Sequence, residues 1–220
     1  MIITLKFKNQ TYRIIYDKMN IMEKYLVFLE YLMGSLNKYF KAQAPYIKCK
    51  EGCAKCCSNG NYPFSEIEVD LLKLGFNTLD TNTQEIILNN IRTIKEKKQL
   101  TGNEEFTYSC PFLINNKCSV YNFRGIICRT FGLIYMKEGE KMQIPFCAFD
   151  GLNYSNILDK ESGMLTLEKM HEQGITIEPK AYNIHYSTLT SDLIAKEFGF
   201  DFGEKGSLIE LLLKDDIFNK

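Results

Sequence analysis

Cys49-Lys50-Glu51-Gly52-Cys53-Ala54-Lys55-Cys56-Cys57 places four cysteines within nine residues. Cys53 and Cys56 have the two-residue spacing of a metal knuckle, in which a tight turn lets two thiolates converge on one ion. Gly52 permits the backbone such a turn needs. Steps of three and four from Cys49 through Cys53 to Cys56 or Cys57 would equally gather the sulfurs on one helix face. Either geometry makes a multidentate site. Adjacent Cys56 and Cys57 diverge in both helix and strand, so unequal roles are expected of them: one serves a second ion or packs beside the centre.

The other four cysteines lie downstream in Cys110-Pro111-Phe112-Leu113, Cys118-Ser119-Val120-Tyr121, Cys128-Arg129-Thr130-Phe131-Gly132 and Cys147. Asn115-Asn116-Lys117 reads as a three-residue hairpin loop that pairs Ile114 with Cys118 and sets Cys110 on the same face. Arg124 and Arg129 flank Cys128, where guanidinium groups can offset the negative charge of a tetrathiolate site. Thiol redox chemistry, disulfides, incidental buried cysteine and a single low-pKa nucleophile are the competing uses of these residues. Clustering of all eight within one hundred residues favours metal. Cys147, farthest from the rest, is the easiest to read as ordinary packing.

The chain of 220 residues carries 27 basic and 27 acidic side chains and is 45% hydrophobic, enough for one core. No run of one sign forms a phosphate-binding stripe, which argues against nucleic acid. Glu23, Lys24 and Glu30 interrupt the most apolar segment, so no membrane span is expected, and residues 1–17 lack the pattern of a secretory signal. A cytoplasmic location follows, where reducing conditions disfavour disulfides.

Alternation at Ile3, Leu5, Phe7 and again at Tyr12, Ile14, Tyr16 predicts a β-hairpin over residues 1–17, turning at Asn9-Gln10. A helix is expected over residues 18–43, ending before Pro45, with a core stripe of Met22, Leu26, Leu29, Met33, Leu36 and Phe40. Ser65 with Glu68 resembles a capping box opening a helix that Gly75 stops. Thr81 with Gln84 repeats it before Ile86, Ile87, Ile91 and Ile94. Residues 106–150 read as loops and short strands, and Leu165–Gln173, Thr190–Phe198 and Leu208–Leu213 as helices. The expected fold is mainly α with a small β component (α+β), a single domain over residues 1–220. Its metal-binding core is 49–147 and its helical carboxy-terminal part 151–220.

The pattern C-x3-C-x2-C-C followed by C-P-F-L, C-x-V-Y, R-x3-C-R and F-G, spanning Cys49 to Gly132, resembles a bacterial cysteine-cluster family described as zinc- or iron-chelating and also called YkgJ-like. The family pattern usually carries Arg-Pro where this chain has Arg124-Gly125. The resemblance implies metal chelation by Cys49, Cys53, Cys56, Cys57, Cys110, Cys118, Cys128 and Cys147, and it leaves zinc or an iron-sulfur cluster open. The number of thiols leans slightly toward iron, since it exceeds one closed zinc site. A similar cluster in flagellin lysine-N-methylases raises an S-adenosylmethionine-dependent enzyme acting on a protein substrate, but no glycine-rich nucleotide fingerprint accompanies it. The metal ion is the primary partner expected.

His171 and His185 are surplus to eight thiols and are expected in ordinary roles. Glu66, Glu68 and Asp70 read as helix-start carboxylates facing solvent. Tyr46, Tyr108, Tyr121 and Tyr135 are candidates for an aromatic wall around the centre or for plain core.

Overall fold

The amino-terminal alternation forms an antiparallel pair, β1 (Ile2–Phe7) and β2 (Gln10–Ile15), with Ile3 opposite Ile14. Gln10, expected in the turn, is the first residue of the second strand and pairs with Phe7. The computed structural model describes residues 2–7, 10–15, 19–50, 52–101, 106–137 and 141–219, with side chains from Met19 onward apart from Thr101. Asn9 and Tyr16 lie outside the described residues.

α1 (Ile21–Ala42) begins at a capping box: the Glu23 amide donates to Asn20 Oδ1 at 2.9 Å and the Asn20 amide donates to Glu23 Oε2 at 2.8 Å. The helix ends before Pro45 as expected, but its buried face is Tyr25, Phe28, Leu29, Leu32 and Leu36. Leu26, assigned to the core stripe, is 38% exposed. The face is set by aromatics: Tyr25 meets Phe200 at 5.4 Å between ring centroids, and Phe28 meets Phe202 at 6.1 Å. Met22, Met33 and Phe40 of the expected stripe pack against this face, partly buried, and Leu29 and Leu36 lie within it.

A one-turn α2 (Lys55–Ser58) and β3 (Pro63–Ser65) precede α3 (Glu66–Phe76). The Ser65–Glu68 capping box is present. Gly75 does not stop the helix; it is buried within it because a Cβ there would lie 2.6 Å from the Phe123 ring. α4 (Thr81–Thr101) buries Ile87, Ile91 and Ile94, and its start is held by Asp80, which accepts from the Thr83 amide at 3.0 Å and the Thr83 hydroxyl at 2.7 Å. Thr81 was expected in that capping role, and Asp80 takes it because its carboxylate reaches the free amides one turn on.

β4 (Leu113–Ile114) and β5 (Lys117–Cys118) form the expected hairpin in a different register: Leu113 pairs with Cys118 and Ile114 with Lys117. Asn115 and Asn116, at φ 50° and 59°, make a two-residue turn of the mirror-image kind asparagine tolerates. Then come α5 (Ile126–Thr130), β6 (Tyr135–Lys137), β7 (Lys141–Gln143), β8 (Leu158–Asp159), β9 (Met164–Leu165) and α6 (Leu167–Glu172). α7 (Tyr186–Leu189), α8 (Asp192–Glu197), β10 (Lys205–Ser207) and α9 (Leu208–Lys214) complete the chain, and β10 pairs back onto β3. The architecture is α+β, with short two-stranded sheets between helices.

One apolar cluster joins α1 to Ile67, Leu71, Ile126 and the 182–202 segment. A second joins α3, α4 and α9 around Phe64, Phe112 and Phe218, and Cys110, Cys118 and Cys128 pack against it. A third surrounds Tyr46 and Tyr154. Among the described residues, no helix is long and apolar enough to cross a membrane.

Candidate metal centre

The two cysteine groups, separated in sequence by more than fifty residues, are adjacent in space. The Cys110 amide donates to the Cys57 carbonyl at 2.7 Å, and Gly60 and Tyr108 form a β-bridge beside it. α2 thereby lies beside the segment that enters Cys110. Cys56 Sγ and Cys57 Sγ stand 3.8 Å apart. The expectation that these adjacent side chains diverge is overturned, because the single rotor of each turns its sulfur toward the other. Two thiolates bound at about 2.3 Å to one tetrahedral ion are also separated by about 3.8 Å.

Around this pair the sulfurs fall into two halves. Tyr62 faces Cys56, Cys57, Cys128 and Cys110. Cys118 and Cys128 both lie within electrostatic reach of Cys56, as does Cys110. On the other side Cys49 lies within electrostatic reach of Cys53, and Cys147 is within reach of Cys49, Cys53 and Cys56. Cys56 is within reach of both halves. All eight cysteines are free thiols, and Cys49 is exposed while Cys147 is buried. Among the described residues no three Cys, His, Asp or Glu side chains are already drawn together at ligand separation.

Burial holds the thiols in their neutral form. It pushes Cys128 up to about 12, and Cys49 and Cys147 each up to about 11. Cys110 and Cys118 are raised by the same cause, and Cys56 first by its hydrogen bond with Cys57 and then by burial. Opposing this, main-chain amides are aimed at sulfur: Phe112 at Cys110, Val120 at Cys118 and Asn153 at Cys147. Such bonds favour the thiolate and are common features of thiolate metal sites. The donor set therefore suits a soft or borderline metal ion.

Arg124 stands near Cys56, Cys118 and Cys128, its guanidinium 3.9 Å above the Tyr121 ring. Its Nε is buried with no hydrogen-bond partner. Arg129 instead donates to the carbonyls of Arg124 at 2.9 Å and Asn122 at 3.0 Å, tying down the loop that carries Arg124. The backbone there is extended, Arg124 at φ −66° and ψ 148° and Gly125 at φ −69° and ψ 175°, values a following proline and a proline would adopt.

Four residues not assigned to the site from the sequence, Tyr62, Phe131, Phe146 and Asn153, complete the surroundings. Tyr62 meets Phe131 at 5.6 Å, and Phe131 meets Phe146 at 5.3 Å, so the aromatic wall is Tyr62–Phe131–Phe146. Of the tyrosines nominated for that wall, Tyr46 stacks on Tyr154, Tyr108 accepts from the Ile209 amide, Tyr121 is exposed under Arg124, and Tyr135 stacks on His185. Asn153 is fully buried: its Oδ1 accepts from the Lys48 and Cys49 amides, each at 2.8 Å, and its Nδ2 donates to the Gly132 carbonyl at 2.9 Å. Gly132 sits at φ +99° with no room for a Cβ against that amide. Glu68 was read as a solvated helix-start carboxylate and is instead wholly buried. His171 is exposed, and His185 is engaged by Ser187 Oγ at 2.7 Å.

Residues 48–148, just under half of the chain, match a family model described as "CxxCxxCC: Putative zinc- or iron-chelating domain". The segment is a CxxCxxCC domain. No curated protein and no solved structure matches the chain. The CxxCxxCC domain opens one residue before Cys49 and closes one residue after Cys147, so it takes in all eight cysteines with Tyr62, Glu68, Arg124 and Arg129. Asn153 lies just outside it. The description of the CxxCxxCC domain covers chelation and does not extend to the methylase or thiol-redox alternatives.

Proposed function

We propose that this protein chelates metal through thiolates, with Cys56, Cys57, Cys110 and Cys128 as an inner set beneath Tyr62 and Cys49, Cys53 and Cys147 as a second set, of which Cys49 is exposed. Cys118 stands beside the inner set, facing Arg124. The observation that carries the reading is the convergence of sequence-distant cysteines on the Cys56–Cys57 pair, whose 3.8 Å separation matches the edge of a tetrathiolate site. Zinc in the inner set would close it and stabilise the fold; iron, alone or as an iron-sulfur cluster, would add electron transfer. Iron is the form we favour, because eight thiols exceed one closed zinc site. The metal ion is the partner this reading requires, in the reducing cytoplasm, and a protein substrate lies outside it.

Anaerobic purification followed by metal analysis and visible spectroscopy tests the reading. A brown protein with bound iron is expected, with metal lost in both Cys56→Ser and Cys57→Ser and largely retained in Cys49→Ser. Colourless protein with stoichiometric zinc would move the assignment from iron to a structural zinc module. Metal-free protein with eight reactive thiols, isolated from metal-replete cells, would end the chelation reading.

A further inference from the structure

The Glu68 carboxylate is wholly buried, with no exposed surface. It accepts four hydrogen bonds from two other segments and its own cap. Oε2 receives the Ser65 amide at 2.9 Å, the Ser65 hydroxyl at 2.7 Å and the Tyr186 hydroxyl at 2.6 Å. Oε1 receives the Ile126 amide at 2.7 Å. A capping box needs only the Ser65 contacts. The Ile126 and Tyr186 contacts go beyond capping α3.

Ile126 is the first residue of α5, the one-turn helix that carries Cys128. Gly125, the residue at the cap position, has no side chain to satisfy that helix start. Glu68 supplies the acceptor from another element. The glycine is required for this: a Cβ at position 125 would lie 2.7 Å from Glu68 Oε1. Arg129, on the same turn of helix, faces Glu68 with its positive charge, and Tyr25 and Cys128 are within electrostatic reach of the same group. A helix of five residues has too few internal hydrogen bonds to fix its own orientation. The position of the Cys128 sulfur therefore depends on what anchors the helix start.

We infer that Glu68 is a positioning residue of the metal centre: through the Ile126 amide it orients α5 so that the Cys128 thiolate is presented to the metal beside Cys56 and Cys110. The inference rests on the thiolate chelation proposed above. It assigns to a carboxylate that never touches the metal a share in setting affinity and ligand geometry, as outer partners of ligating residues do.

Cobalt(II) titration of the full-length, anaerobically reduced metal-free protein reads this directly, because sulfur-to-cobalt charge-transfer bands report the number and arrangement of bound thiolates. Glu68→Gln keeps the shape but presents an amide NH2 to one of the donors now satisfied. It is expected to bind cobalt about 10- to 100-fold more weakly, with altered band positions. In the Cys128→Ser background the same change should have no further effect. Leu71→Ala, on the same helix and buried in the adjoining apolar cluster, controls for mere loss of stability and should leave the spectrum unchanged.

If Glu68→Gln does not fold, Tyr186→Phe removes one of the four donors and carries the test in graded form, with cobalt binding weakened about two- to tenfold, the equivalent of one hydrogen bond. Wild-type affinity and spectrum in Glu68→Gln, or in Tyr186→Phe where that variant carries the test, overturn the positioning role alone. Absence of charge-transfer bands in the wild-type protein overturns the chelation reading with it.

Discussion

Gly125→Pro separates two effects that the structure places at one residue. The backbone at φ −69° and ψ 175° lies within the range proline fixes, and Arg124 before it is already extended. On backbone grounds alone the substitution should stabilise by about 0.4–1 kcal/mol, by narrowing the unfolded ensemble. The Cβ, however, would lie 2.5 Å from Phe64 Cε1 and 2.7 Å from Glu68 Oε1. Both neighbours are buried, and the carboxylate is held by four donors, so neither moves freely. Overpacking of this kind costs about 1–3 kcal/mol. The steric effect wins, with a net loss of about 1–2 kcal/mol. For a chain of this size that is a fall in Tm of about 2–8 °C. Gly125→Ala meets the same contacts without the full backbone gain and should be the less stable of the two. Phe64→Leu should shrink the penalty of the proline in a double-mutant cycle. Thermal and urea denaturation of the metal-free proteins measure all four. A Gly125→Pro protein as stable as wild type, or more so, would refute the reasoning, because Phe64 and Glu68 would then have yielded without cost.

Two further outcomes follow from the site. The Cys128 thiol is raised from 9.0 to about 12, so the folded metal-free protein keeps a proton that the unfolded chain gives up sooner. Stability is therefore full below pH about 9 and is lost as pH rises toward about 12, and a Tm that climbs between pH 8 and 11 would contradict this. Asn153→Ala leaves the buried Lys48 and Cys49 amides and the Gly132 carbonyl unpaired, for a loss of about 2–4 kcal/mol by denaturation together with faster alkylation of Cys49; an unchanged midpoint and unchanged labelling rate would remove Asn153 from the site.

What could be read from the sequence was whatever depended on local pattern. The α3 capping box, the long α4 and the end of α1 before Pro45 follow from cap chemistry, periodicity and proline, all of which act within one or two turns. Cysteine spacing likewise announced a metal-binding segment. The readings that failed depended on partners remote in sequence. Leu26 lost its place to Tyr25 and Phe28 because the deciding surface, Phe200 and Phe202, comes from the other end of the chain. Gly75 was mistaken for a stop because its reason, Phe123, lies far along the chain. Asn115-Asn116 closed a two-residue turn instead of three, and one residue of slip changed the partner of Cys118. No local signal distinguished the buried Glu68 from the solvated Glu66 and Asp70 beside it.

The charges around the inner sulfurs supply an argument about the metal that cysteine counting alone does not. Four thiolates with a divalent ion carry a net charge of minus two, and with a trivalent ion minus one. Two guanidinium groups stand nearby: Arg129 is within electrostatic reach of Cys128 and of the buried Glu68 carboxylate. Arg124 lies near Cys56, Cys118 and Cys128, with a buried Nε that no protein atom satisfies. Each cation within reach offsets one unit of that charge, in surroundings where an uncompensated charge is costly. Arg124→Gln is the informative substitution: the change should weaken zinc more than ferric binding at the inner set, because a dianionic complex loses more attraction than a monoanionic one. Metal competition assays on the wild-type and variant proteins read the ratio, and equal losses for the two ions would show that Arg124 serves packing against Tyr121 rather than charge balance.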